Sequence, residues 1–198
     1  MKATVGVVEN ANTATLVTIG PDGALLDRRH IALTEPDLPT HPHHHEGSWA
    51  VGRYLETPGA RSLPLAEAVA LVDCVRAAAE RGARNCLSSL AAAVPLPIAT
   101  IAIRACPTLP PTTEERIRDH RAQTYADSVM YRHALADAAT ALGWSVFWYD
   151  RDRLLEEVPQ ALLTAMGRAA GTPWQAKHKL AAAAALAARD FIVQGSGS

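Results

Sequence analysis

No excess of charge of either sign marks this chain: 19 Lys and Arg stand against 20 Asp and Glu, a formal net charge of −1 with histidine neutral. Without a long-range positive field it cannot coat a polyanion, so any nucleic-acid contact has to come from a local basic patch. Cysteine is scarce. Cys74, Cys86 and Cys106 are odd in number and lack a C-x-x-C spacing, which argues against a disulfide framework and a cysteine zinc site and suits a reducing compartment. Long apolar runs are missing too, since Leu180 to Ala188 is about half of the ~20 residues a spanning helix needs. No basic-then-apolar stretch opens the sequence, so no membrane partner is expected and the expected location is the cytoplasm. What is present is a chain of 198 residues, 48% hydrophobic and 20% charged, able to bury one core.

The apolar patterning gives an order of elements. Thr4 to Val8, Thr15 to Ile19 and Ala24 to Leu33, punctuated by Gly20-Pro21-Asp22-Gly23, predict an antiparallel meander. Residues 34–61 lose all periodicity and carry Pro36, Pro39, Pro42 and Pro58, as a long loop or insertion does. Ala68, Leu71, Val72, Val75 and Ala79 recur at helical spacing and predict a helix over 65–81 that stops before Gly82, with a second helical stretch near 87–93. Ile98 to Ile103 is short, β-branched and apolar, the pattern of a buried central strand. Beyond Pro107, Pro110 and Pro111, Thr112 and Glu115 can form a capping box, and the stripe Ile117, Thr124, Ser128, Tyr131, Leu135, Ala138 and Leu142 predicts one long helix to Gly143. Trp144 to Tyr149 reads as another strand, followed by a short helix at 160–166 and a last helix at about 174–189, whose alanines favour helix.

This order makes an α/β domain over residues 1–194: a mixed sheet with helices on both faces, a His/Pro-rich insertion at about 34–61, and residues 195–198 as a linker or appended tail. It resembles the ribonuclease H-like superfamily, and in detail its Holliday-junction resolvase branch. Val5-Gly6-Val7-Val8-Glu9 stands where that branch has a strand ending in an acid, the 65–81 helix precedes Ile98 to Ile103 as its first helix precedes its central strand, and Ala134-Leu135-Ala136-Asp137-Ala138-Ala139 followed by Val146-Phe147-Trp148-Tyr149 matches its next helix-strand step. The resemblance covers roughly residues 4–190. It implies nucleic acid as a partner and two divalent metals, held by carboxylates on the first strand, the central strand and the last helix, because hard cations need several negative oxygens beside the scissile phosphate.

Against that requirement, Glu9 can serve as the first acid and hold Mg or Mn. No Asp or Glu occurs between Glu80 and Glu114, however, and Arg104 stands where the second acid belongs; none occurs between Glu157 and Asp190, where Lys177, His178 and Lys179 stand instead. Two readings follow. In the first, the domain is catalytically degenerate, a nucleic-acid-associated or protein-interaction subunit that self-associates. Its cation set is Arg104, Lys177, His178 and Lys179, a Glu9 to Arg104 ion pair fills the space of the metal, and the alanine-rich last helix with Trp174 offers a partner surface. In the second, it is a metal-dependent phosphodiesterase using Glu9 with Asp150 and Asp152, or with the loop His41, His43, His44, His45 and Glu46, whose imidazoles and carboxylate suit Zn or Ni. A stripe of Arg116, Arg118, Arg121 and Arg132 on the long helix reads either as phosphate-binding or, with Glu114, Glu115, Asp119 and Asp127 among them, as a solvated face. Ser88, Ser89 and Ser128 lack the G-x-S-x-G elbow of a serine hydrolase.

Overall fold

The computed structural model of the chain describes residues 1–43 and 63–195. Three antiparallel strands, β1 (Ala3–Asn10), β2 (Thr13–Ile19) and β3 (Leu25–Ala32), are followed by α1 (Leu65–Ala93), β4 (Ile98–Arg104), α2 (Thr113–Arg118), α3 (His120–Ala141), β5 (Ser145–Tyr149), α4 (Arg151–Glu157), α5 (Gln160–Ala170) and α6 (Ala176–Gly195). The sheet order is β3-β2-β1-β4-β5, with β4 and β5 parallel to β1. It is the mixed sheet that the residue pattern implies.

Alternation along the strands sorts the core into two layers. Val5, Val7, Ile101 and Ile103 point to one face and pack with α1 and α3 through Val72, Val75, Leu87, Tyr131 and Leu135. Val17, Ile19, Ala102 and Tyr149 point to the other, against Ala181 to Leu186 of α6. That alanine run is fully buried. It is therefore core, not the partner surface expected of it, because small side chains let a helix lie directly on a strand. Gly6 is the matching notch on β1: a Cβ there would overlap the carbonyl oxygen of Ala181.

Three boundaries differ from the sequence expectation. Gly82 does not end a helix; α1 runs through it, and the missing Cβ leaves room for the backbone of Leu33, so its role is close approach rather than termination. The expected long helix is two, because the side chain of Asp119 accepts from the N–H groups of Arg121 and Ala122 and starts α3 afresh, while the Thr112 and Glu115 capping box starts α2 as expected. Asp150 likewise accepts from the N–H groups of Asp152 and Arg153 and starts α4, where the sequence suggested only a polar strand end. Of the apolar stripe expected on the long helix, Thr124 and Leu142 are exposed.

Since backbone atoms bound the Gly6 notch, the helix has to move to admit a side chain. Gly6→Ala is expected to lower stability by at least about 1–3 kcal/mol, the usual cost of overpacking, read from the urea midpoint at unchanged m-value. A midpoint equal to wild type would show that α6 does not rest on β1.

Candidate functional site

The rim where β1, β4 and β5 end and α6 begins carries the residues singled out by sequence, and strand parity decides which of them meet. Glu9 follows Val5 and Val7 to the α1 and α3 face. Arg104 follows Ala102 to the α6 face. Continuing the parallel pairing of Gly6 with Ala102 by two residues sets Val8, not Glu9, beside Arg104. The expected Glu9 to Arg104 ion pair is therefore not made: with a period of two, an offset of one residue sends the side chains to opposite faces.

The partner of Glu9 comes from α3. Arg132 donates from Nε (2.7 Å) and Nη2 (2.5 Å) to Glu9 Oε1, and from Nη1 to the carbonyl of Ala105 (2.9 Å) just past β4. The two side chains are 7% and 6% exposed, so each charge is neutralised where water cannot do it. Arg132 is thus no part of a phosphate-binding stripe. Arg116 donates to the carbonyls of Pro110 and Pro111, and Arg118 pairs with Glu114 on the surface. Tyr149 closes the rim from below: its hydroxyl donates to the carbonyl of Val7 (2.8 Å), and burial, aided by the nearby charge of Glu9, pushes it far above the ordinary phenol range. It stays a proton donor. Burial also raises the Cys106 thiol, against the pull of Arg132, so this cysteine is no ready nucleophile.

Two clefts open on the rim. The smaller, about 380 Å³, is lined by Val8, Glu9, Asn10, Arg104, Arg151 and Lys177 among others. The larger, about 880 Å³, lies between the ends of β4 and β5 and the start of α3; it shares Arg104 and Arg151 and adds Arg121, Tyr125, Asp119, Asp150 and Asp152. The structure thus brings Arg104 and Lys177 together with Glu9, and places Asp150 and Asp152 in the neighbouring cleft. Hydrogen bonds from the backbone N–H groups of Arg153 and Asp152 hold the Asp150 carboxyl below the usual carboxylate range. His178 turns away towards β3, its Nδ1 accepting from the N–H of Gln175 (3.1 Å) and its ring stacked on Trp174. Lys179 is half-buried and lines neither cleft.

Of the histidine loop, His44, His45 and Glu46 lie outside the described residues. His41 Nδ1 is 2.8 Å from Thr40 Oγ1. His43 is turned inward, 1% exposed, with Nδ1 2.6 Å from Asp127 Oδ1 and its backbone N–H on the same oxygen. Among the described residues, no group of three or more His, Cys, Asp or Glu side chains is arranged to hold a metal.

Comparison of the fold with solved structures finds RuvC of Thermus thermophilus bound to a Holliday junction substrate, at a TM-score of 0.55 and 12% identity over 99% of this chain and 98% of that one. A second structure of Thermus thermophilus RuvC matches at a TM-score of 0.50 and 12% identity over 98% and 96%. The chain has the ribonuclease H-like fold of the Holliday-junction resolvases. No protein-family model matches the sequence, and no curated protein matches it. No helix among the described residues is long and apolar enough to cross a membrane. The two divalent metals that the sequence resemblance implies need several carboxylate oxygens, and the smaller cleft does not supply them. It offers one carboxylate, already bonded to Arg132, among the cations Arg104, Arg151 and Lys177, which repel a metal ion.

Arg132 was concealed in the sequence by its place among other arginines. Its signal was local: it is the lone charge in Val129-Met130-Tyr131-Arg132-His133-Ala134-Leu135-Ala136, and an arginine on a core-facing run needs a buried partner. Arg132→Ala leaves Glu9 buried without a counter-charge and is expected to cost about 3–5 kcal/mol, with much of the loss recovered in Glu9→Gln/Arg132→Met. Arg104→Ala should stay within about 0.5 kcal/mol of wild type. Chemical denaturation of the four proteins checks this, and an Arg104→Ala loss as large as that of Arg132→Ala would contradict the pairing.

Proposed function

We propose that the chain is a nucleic-acid-binding domain of resolvase-like fold that has exchanged metal-dependent cleavage for phosphate binding. The observation that carries this reading is the ion pair of Glu9 with Arg132, together with the cations around it. A metal needs several free carboxylate oxygens, whereas the smaller cleft has one carboxylate, whose Oε1 is held by a guanidinium on the opposite face of the sheet. The charges that the cleft presents to solvent are those of Arg104, Arg151 and Lys177. Clustered cations on a chain of net charge −1 are the local basic patch that a phosphodiester backbone requires when no global field exists. The Holliday junction bound by a structural neighbour supports nucleic acid as the ligand class. The second reading, a phosphodiesterase using Asp150 and Asp152 with Glu9, is disfavoured because those acids line a different cleft from Glu9.

Binding and cleavage assays separate the two. Four-way junction, duplex and single-stranded DNA and RNA should be bound with EDTA present and left uncut with Mg or Mn, at the level of a Glu9→Gln control. Neutralising Arg104 or Lys177 should weaken binding of all sequences about equally, and lower the slope of log affinity against log salt by about 1 each. Metal-dependent cleavage that disappears in Glu9→Gln would install the phosphodiesterase instead.

A further inference from the structure

A single row of side chains crosses the α6 face of the sheet at this rim. His30 of β3 pairs with Thr15 of β2, Thr15 pairs with Val8 of β1, the Gly6 to Ala102 register continued by two residues sets Val8 beside Arg104 of β4, and Arg104 pairs with Tyr149 of β5. From Arg104 to His30 is three interstrand spacings, about 14 Å at about 4.8 Å each. The first turn of α6 passes over the row. Lys177 enters the cleft beside Arg104, and the next residue, His178, faces β3, where Arg28 and His30 act on its ring.

The chemistry along this line is that of donors. The proton of a neutral His178 ring sits on Nε2, since Nδ1 accepts from Gln175 N–H. Thr15, 4% exposed, lies beneath the helix with its hydroxyl 3.5 Å from His30 Nδ1, and His30 itself is exposed. Arg28 is occupied, donating to the carbonyls of Gly171, Thr172 and Pro173, so it contributes charge but not a free fork. The charged and titratable groups around His178 are Arg28 and His30 from β3 and its helix neighbours Lys177 and Lys179. Among the described residues, no carboxylate bonds to His30 or His178.

We propose that this rim is a track for a sugar-phosphate backbone: phosphates held at Arg104 and Lys177 continue along the outer side of the first turn of α6, which covers the buried Thr15, to His178 and His30, so that a bound strand runs from the end of β4 to β3. The inference rests on the nucleic-acid reading of the smaller cleft and extends it to two histidines outside that cleft. It makes the contact sensitive to acidity. Burial first, then the charge of Arg28 and the neighbouring His30, hold His178 below the ordinary imidazole range, so without a ligand its charged form is disfavoured. A phosphate beside His178 reverses the local sign and favours its charged form, which adds an ion pair as the pH falls.

The test is a salt series of anisotropy titrations with a short oligothymidylate and a short duplex, in EDTA, at about pH 6 and about pH 8. Each phosphate contact adds roughly 0.7 to the slope of log affinity against log salt for single strands and roughly 0.9 for duplex. The wild type should be steeper at the lower pH by about one such contact or more. His30→Gln/His178→Gln should give one slope at both pH values, close to that of wild type at the higher pH. Arg104→Gln/Lys177→Gln should lose slope at both. A wild-type slope that does not change with pH, or a change that survives in the double histidine variant, overturns the track and leaves the cleft reading intact. Failure of the wild type to bind either probe at low salt overturns both.

Discussion

The buried ion pair between Glu9 and Arg132 is the constraint from which the arrangement of the rim follows. It joins the end of β1 to the middle of α3, and through Nη1 of Arg132 it also holds the chain leaving β4. A buried pair of this kind contributes little net stability over a well-packed apolar replacement, whereas losing one partner is severe. Its effect is therefore geometric. With Glu9 drawn to the α3 face, the row from His30 to Tyr149 on the α6 face carries no carboxylate, and the charge that acts on Arg104 is that of Asp150 in the neighbouring cleft. The same interaction that completes one side of the sheet keeps the Glu9 carboxylate out of the row on the other.

Much of this fold was legible in the sequence because its strands and helices carry their own periodicities. The meander, the central strand Ile98 to Ile103 and the helix-strand step before β5 all follow from apolar spacing, and their order suffices for the resolvase-like fold. The misread boundaries share a physical cause. Asp119 and Asp150 look like ordinary charges in sequence, yet each accepts two backbone N–H groups and starts a helix. Gly82 looks like a stop, yet its meaning lies in the backbone of Leu33, far away in the chain.

The candidate site was half legible. Arg104 and Lys177 were identified from the absence of acids where a metal centre would need them, and both line the cleft with Glu9. The partner of Glu9 is not legible in the sequence, because pairing across a sheet depends on register and a difference of one residue inverts the face. Of the loop histidines, His43 shows why sequence proximity is weak evidence for a shared metal: its ring is pulled inward by Asp127, which lies 84 positions away.

The position of the cationic rim is inherited from the packing of the core. Lys177 and His178 stand over the sheet because α6 lies directly on β1 and β2, and that approach needs both the alanines at 181–185 and the missing side chain at Gly6. Larger residues at either would lift the helix and carry its first turn away from Arg104 and His30. The alanine run, the least informative stretch of the sequence by composition, thus sets the height at which two basic side chains meet the strand ends. Arg28 reinforces the same height from β3 by fastening the carbonyls of Gly171, Thr172 and Pro173 just before α6 begins. Small residues under the helix and one arginine at its entry therefore fix where the side chains of Lys177 and His178 stand above the strand ends.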